Sequence, residues 1–90
     1  MRVARANVLL TSMPRYYFDT DDGQTLSTDQ EGVELEGPQA ARTEALRWLA
    51  GMAREALPTV EEPTFAAVVR EQNGTAFFRT SLTLRHQWLG

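Results

Sequence analysis

Two turn signatures, Asp21-Asp22-Gly23 and Asn73-Gly74, stand on either side of one long amphipathic stretch. Each is a sequence that reverses a chain between strands: Asp and Asn side chains satisfy nearby N–H groups, and Gly accepts a left-handed backbone. Apolar alternation flanks both turns and a helical period runs between them, so the chain reads hairpin, helix, hairpin. The expected class is α+β, a ββαββ unit whose two β-hairpins form a four-stranded sheet with one helix packed on one face.

Arg15-Tyr16-Tyr17-Phe18-Asp19-Thr20 is rich in aromatics and ends at turn residues, as a strand does. A two-residue turn at Asp22-Gly23 would break the apolar pattern. A three-residue loop, Asp21 to Gly23 with Gly23 left-handed, sets Phe18 opposite Leu26 and Tyr16 opposite Thr28 on one side. Val33 and Leu35 then belong to an extended connection that tucks under the helix. Gly37 caps that helix, Pro38 opens it and Pro58 ends it after Leu57. Between them Ala41, Ala45, Leu46, Trp48, Leu49, Met52, Ala53, Ala56 and Leu57 cover about half of the helical wheel. Arg42 falls inside this arc but lies early enough to run its stem to water. Thr59 to Pro63 is a linker, and Thr64–Gln72 and Thr75–Leu84 pair around Asn73-Gly74. A two-residue turn there sets Val69 opposite Phe78, Ala67 opposite Thr80 and Phe65 opposite Leu82. The expected core is Tyr16, Phe18, Leu26, Leu46, Leu49, Met52, Phe65, Val69, Phe78 and Leu82.

A single helix covers only one side of such a sheet, so the other side is polar or meets a partner. By the same parity that side carries Arg15, Tyr17, Asp19, Ala66, Val68, Arg70, Phe77, Arg79, Ser81, Thr83 and Arg85. Arg15, Tyr17, Val68, Arg70, Phe77, Arg79 and Arg85 form the candidate interaction face, because aromatics and Arg are the residue types enriched in interfaces. A chain of 90 residues buries only about two-thirds of its unfolded surface, so a second copy is an economical source of further burial. The expected function is a non-enzymatic protein-interaction module that self-associates as a homodimer, through this open face or a strand edge, or meets another protein. The alternative on the same face is single-strand nucleic-acid binding, with bases stacked on aromatics and phosphates held by guanidinium groups. The net charge of −3, the absence of Lys and the presence of Asp19 favour the protein partner.

The chain contains no cysteine, which removes disulfides, thiolate metal sites and cysteine nucleophiles together. Asp19 to Gly23 has the look of a calcium loop, but Gly23 falls fifth rather than sixth and Gln30 stands where a bidentate Glu is needed. Asn73-Gly74-Thr75 fits a glycosylation pattern yet reads as a tight turn. His86 has neither Cys nor a paired carboxylate beside it and reads as a surface or packing residue. Asp29, Glu31, Glu34 and Glu36 read as a solvated loop before the helix. No phosphate loop, nucleophile elbow or zinc spacing occurs. The sequence therefore points to no catalytic residue, no cofactor, no metal and no membrane span, and a cytoplasmic location is expected. Trp48 is expected at the helix–sheet seam; Trp88, beyond the last strand, covers the same seam or marks a docking point.

Met13-Pro14-Arg15-Tyr16-Tyr17-Phe18, the Asp22-Gly23 turn, Glu31-Gly32-Val33-Glu34-Leu35, Glu44-Ala45-Leu46 and Ser81-Leu82-Thr83-Leu84-Arg85 together resemble a family of small proteins abundant in rhizobia-like alphaproteobacteria. That family is classed as a domain of unknown function, so the resemblance implies no activity and no site residues. It spans Met13 to about Arg85 and supports Met13 as the start. Residues 1–12 are expected to be a flexible N-terminal extension, and residues 13–90 a single ββαββ domain.

Overall fold

The computed structural model describes residues 13–56 and 61–90. The expected N-terminal extension, Leu57, the helix stop at Pro58 and the first half of the linker lie outside them. The elements are β1 (Arg15–Asp21), β2 (Leu26–Ser27), β3 (Val33–Glu34), α1 (Pro38–Ala56), β4 (Thr64–Arg70) and β5 (Ala76–Thr83). All strand pairings are antiparallel and the order is β2-β1-β4-β5, with β3 also on β1. The class is α+β with one helix, as expected, but the second strand is split into β2 and β3, which follow one another along the outer edge of β1.

The helix starts where the chain chemistry dictates. Pro38 is its first residue, where the missing N–H has no intrahelical partner, and the Gly37 carbonyl accepts from Ala41 N at 3.1 Å. Ala41, Ala45 and Leu49 are its buried residues, with Met52, Ala53 and Ala56 half-buried against the core. The alanines let the helix lie close over β4, where Ala67 is equally buried. Tyr16, Phe18, Phe65 and Val69 complete the core, and Val33, Leu35 and Phe78 pack against it. Trp48 stacks on Phe18 with ring centroids 5.2 Å apart and donates Nε1–H to Glu44 Oε2 at 3.1 Å, which places it at the seam.

Three expected core residues are not in the core. Leu46 is 42% exposed because the buried stripe is narrower than the apolar arc, and Leu46 lies on its margin. Leu82 is 41% exposed because β5 has a neighbouring strand on one side only. Leu26, 71% exposed, reflects an altered register. Asp21 pairs with Leu26 and Thr20 with Ser27, not Phe18 with Leu26. The turn is Asp22 to Thr25, held by Asp22 Oδ1, which accepts from Gln24 N at 2.9 Å and Thr25 N at 2.7 Å, and by Asp21 Oδ1, which accepts from Gly23 N at 2.8 Å. The pairing is displaced by an odd number of residues, which turns the side chains of β2 to the opposite face.

The second hairpin reaches the expected register by a different route. Glu71 N donates to Thr75 O and Gly74 N to Glu71 O, each at 2.8 Å, so the loop is the three residues Gln72 to Gly74, with Gly74 at φ +93°. Beyond it Arg70 pairs with Ala76 while Val69 pairs with Phe78, so Phe77 is the extra residue of a bulge. The longer loop and the bulge cancel, and Val69–Phe78, Ala67–Thr80 and Phe65–Leu82 face one another as read from the sequence.

Candidate interaction surface

The face of the sheet away from α1 is organised by one cation. Arg70, at the end of β4, donates from Nε to Asp19 Oδ2 at 2.7 Å, from Nη2 to Asp19 Oδ1 at 3.1 Å and from Nη2 to the Asp29 carbonyl at 3.1 Å. Its guanidinium also lies 5.1 Å from the centroid of the Tyr17 ring. The strand register brings these groups together, since Tyr17 pairs with Arg70 and Asp19 with Val68, with side chains on the same face.

Asp29 fills the gap between β2 and β3. Its Oδ2 accepts from Phe18 N at 3.1 Å, an N–H of β1 that the interrupted edge would leave unpaired. Its Oδ1 accepts from Glu31 N at 3.0 Å and Gly32 N at 3.1 Å, and its own N–H donates to Asp19 Oδ1 at 3.0 Å. The solvated-loop reading of Asp29 is thereby corrected: the side chain is half-buried and replaces missing strand bonds. Gly32 has φ +74°, and a Cβ there would stand 2.8 Å from Arg15 Cγ and 2.9 Å from Tyr17 Cε2. Only glycine lets the edge close on the Tyr17 ring.

The electrostatics follow from these contacts. The Arg70 hydrogen bonds hold the Asp19 carboxyl below the usual carboxylate range against the opposing effect of burial. For Asp29 burial pushes upward, but the Gly32, Phe18 and Glu31 N–H groups outweigh it and the net direction is down. Asp19 raises the basicity of Arg70 in return. Burial, then the charge of Glu71, pushes the Tyr16 hydroxyl up.

Of the seven candidate residues, Tyr17, Val68, Arg70 and Arg79 share this face. Val68, Arg70 and Arg79 line a shallow cavity of about 300 Å³ with Asp19, Asp21 and Leu26 among its other walls. Arg15 is turned to the β3 edge, where it pairs with Glu34 at 3.2 Å and donates to the Glu31 carbonyl at 2.8 Å. Phe77, the bulge residue, has its ring 5.7 Å from that of the buried Tyr16 and also lines a shallow cavity with Val68 and Arg79. Arg85 lies past the end of β5 beside His86, whose Nε2 is 2.7 Å from the Glu61 carbonyl oxygen. Trp88 is fully exposed. Alternation along the strands does not reveal Asp29 and Gly32 as organisers of this face; the Asp-x-x-Gly run is the local signal for them.

The two sheet edges differ. One is β2 and β3, two residues each, interrupted by the Asp29 turn and shielded by Arg15. The other is β5, eight residues long without proline, to whose outer side no described strand is bonded. Leu84 N donates to Pro63 O at 3.1 Å, which fixes the polarity of this ladder. Even-numbered residues of β5 from Phe78 onward direct their N–H and C=O at β4, and Arg79, Ser81 and Thr83 direct theirs at the open edge.

Among the described residues no group of three or more His, Cys, Asp or Glu is arranged to hold a metal ion, and no helix is long and apolar enough to cross a membrane. The profile of a family described as a domain of unknown function (DUF6894) matches residues 15–83. No curated protein and no solved structure matches the chain.

Proposed function

The chain belongs to the DUF6894 family, whose function is unknown, and we propose that it is a non-enzymatic interaction module that self-associates by adding the β5 strand of a second copy to its own β5. The observation that carries this reading is the asymmetry of the edges. One is short, interrupted and guarded, which is how folded proteins prevent strand addition, and the other is long, regular beyond its bulge and bears a single charge, Arg79. Phe77, 37% exposed, and Leu82 offer apolar surface along the same strand. The open sheet face is the weaker surface. Arg70 and Asp19 already satisfy one another there, and Ala66 is already buried. Nucleic-acid binding loses support for a related reason: Arg15 and Arg70 are engaged by Glu34 and Asp19, which leaves Arg79 as the uncommitted cation of the face, with Arg85 past the end of β5.

Proline at position 81 tests the reading, because it removes an N–H that faces the open edge and leaves the β4 ladder intact. Light scattering on the wild type should report a dimer, and Ser81→Pro should report a monomer with unchanged far-UV circular dichroism. A wild type that stays monomeric up to its solubility limit overturns the proposal. Binding of labelled oligonucleotides at low salt would instead favour the nucleic-acid reading.

A further inference from the structure

We infer that two copies join β5 to β5 antiparallel about a two-fold axis at Thr80, a register that rests on the self-association just proposed. The ladder polarity restricts the choices, because pairs bonded across the open edge must be formed by odd-numbered residues. An axis at Arg79 puts Arg79 directly opposite itself. An axis at Leu82 puts Arg79 opposite Arg85 of the partner, again like charge on like charge. An axis at Ser81 avoids this but sets the half-exposed Leu82 against a threonine and shortens the overlap.

With the axis at Thr80, residues 77–83 overlap completely. Arg79 then faces Ser81 of the partner on the open side. On the helix side Phe78 faces Leu82 of the partner, twice by symmetry, with Thr80 against Thr80 between them. Leu82, which β4 and the helix leave 41% exposed, gains an aromatic neighbour in a close non-hydrogen-bonded pair. The axis is perpendicular to the sheet, so both helices lie on one face of a continuous sheet and the Tyr17–Arg70 faces of both copies share the other.

The absence of cysteine makes the register directly measurable. Two Thr80 Cα atoms in a non-hydrogen-bonded pair stand about 4.5 Å apart, within the range a disulfide spans. Two Ser81 Cα atoms in the same register are offset by two residues and stand about 8–9 Å apart, beyond that range. Under mild oxidation Thr80→Cys should form a covalent dimer and Ser81→Cys should not. The double variant Arg79→Cys, Ser81→Cys, both on exposed positions, should be linked across the 79–81 pairs, which keeps the test independent of any effect at Thr80. A dimer by light scattering in which Ser81→Cys alone cross-links, or in which neither Thr80→Cys nor the double variant does, overturns the register and leaves self-association standing. Variants that are monomeric by light scattering and uncross-linked overturn both.

Discussion

Two glycines of this chain have opposite meanings, and the difference lies in what a methyl group would touch. At Gly32 the backbone is left-handed and a Cβ would press on Arg15, Tyr17 and the Tyr16 carbonyl at 2.8–3.0 Å. The left-handed conformation costs an L-residue about 1–2 kcal/mol, and forced repacking adds about 1–3 kcal/mol. Gly32→Ala should therefore lower Tm by roughly 10 °C or more, at about 4–8 °C per kcal/mol for a domain of this size. Gly51 sits exposed in the helix interior with nothing within 4 Å of a built Cβ. Gly51→Ala should raise stability by about 0.5–1 kcal/mol, read from urea midpoints. Asp19 and Asp29 act through charge. Their carboxyl pKa values are lower in the folded chain than in the unfolded one, so their contribution is present above about pH 4 and lost as pH falls through the folded values. Arg70→Gln removes the largest cause of the Asp19 shift. The variant should be less stable than wild type near neutrality, and its stability should fall less between neutral and acid pH. Equal acid sensitivity in paired denaturation series would contradict this account.

Helix and strand patterning explain which elements tolerate change. Leu49 is buried on the stripe that faces β4, and Leu46 lies on the stripe's margin. Leu49→Ala should cost about 2–4 kcal/mol as a core truncation. Leu46→Gln should stay within about 0.5 kcal/mol, as a surface substitution does. The sequence distinguishes these two poorly, since both leucines sit in one apolar arc and only the position of the sheet says where the arc is covered. Strand faces were legible where parity survived. Val69, Phe78 and Phe65 lie on the face that alternation predicts because the longer Asn73-Gly74 loop and the Phe77 bulge offset one another. Leu26 departs from that alternation, because three consecutive turn residues, Asp21 to Gly23, allow loops that differ in length, and Asp22 bonds to the Gln24 and Thr25 N–H groups select the longer one. The Tyr17–Arg70–Arg79 surface could be read from alternation along each strand. Asp29 could not, because its role exists only where the neighbouring edge is broken, and that break depends on pairing between segments distant in sequence.

At the scale of the whole molecule, the decisive fact is that β1 pairs with β4. This places the interrupted β2–β3 segment at one border and β5 at the other, an order that no local pattern encodes. A molecule with one guarded and one open border can extend its sheet in a single direction. A two-fold pairing closes that border on both copies and stops at two, whereas a head-to-tail contact would continue into a filament. The proposed dimerisation through β5 would therefore have a thermodynamic signature. Because folding and association are linked by mass action, Tm of the wild type should rise steadily with protein concentration, and the dependence should vanish in Ser81→Pro while its Tm approaches the wild-type value at high dilution. A scanning-calorimetry series over a wide concentration range measures both slopes. A wild-type Tm that does not change with concentration, or a Ser81→Pro variant that keeps the full slope, would mean that the open border of β5 is not where this protein meets its copy.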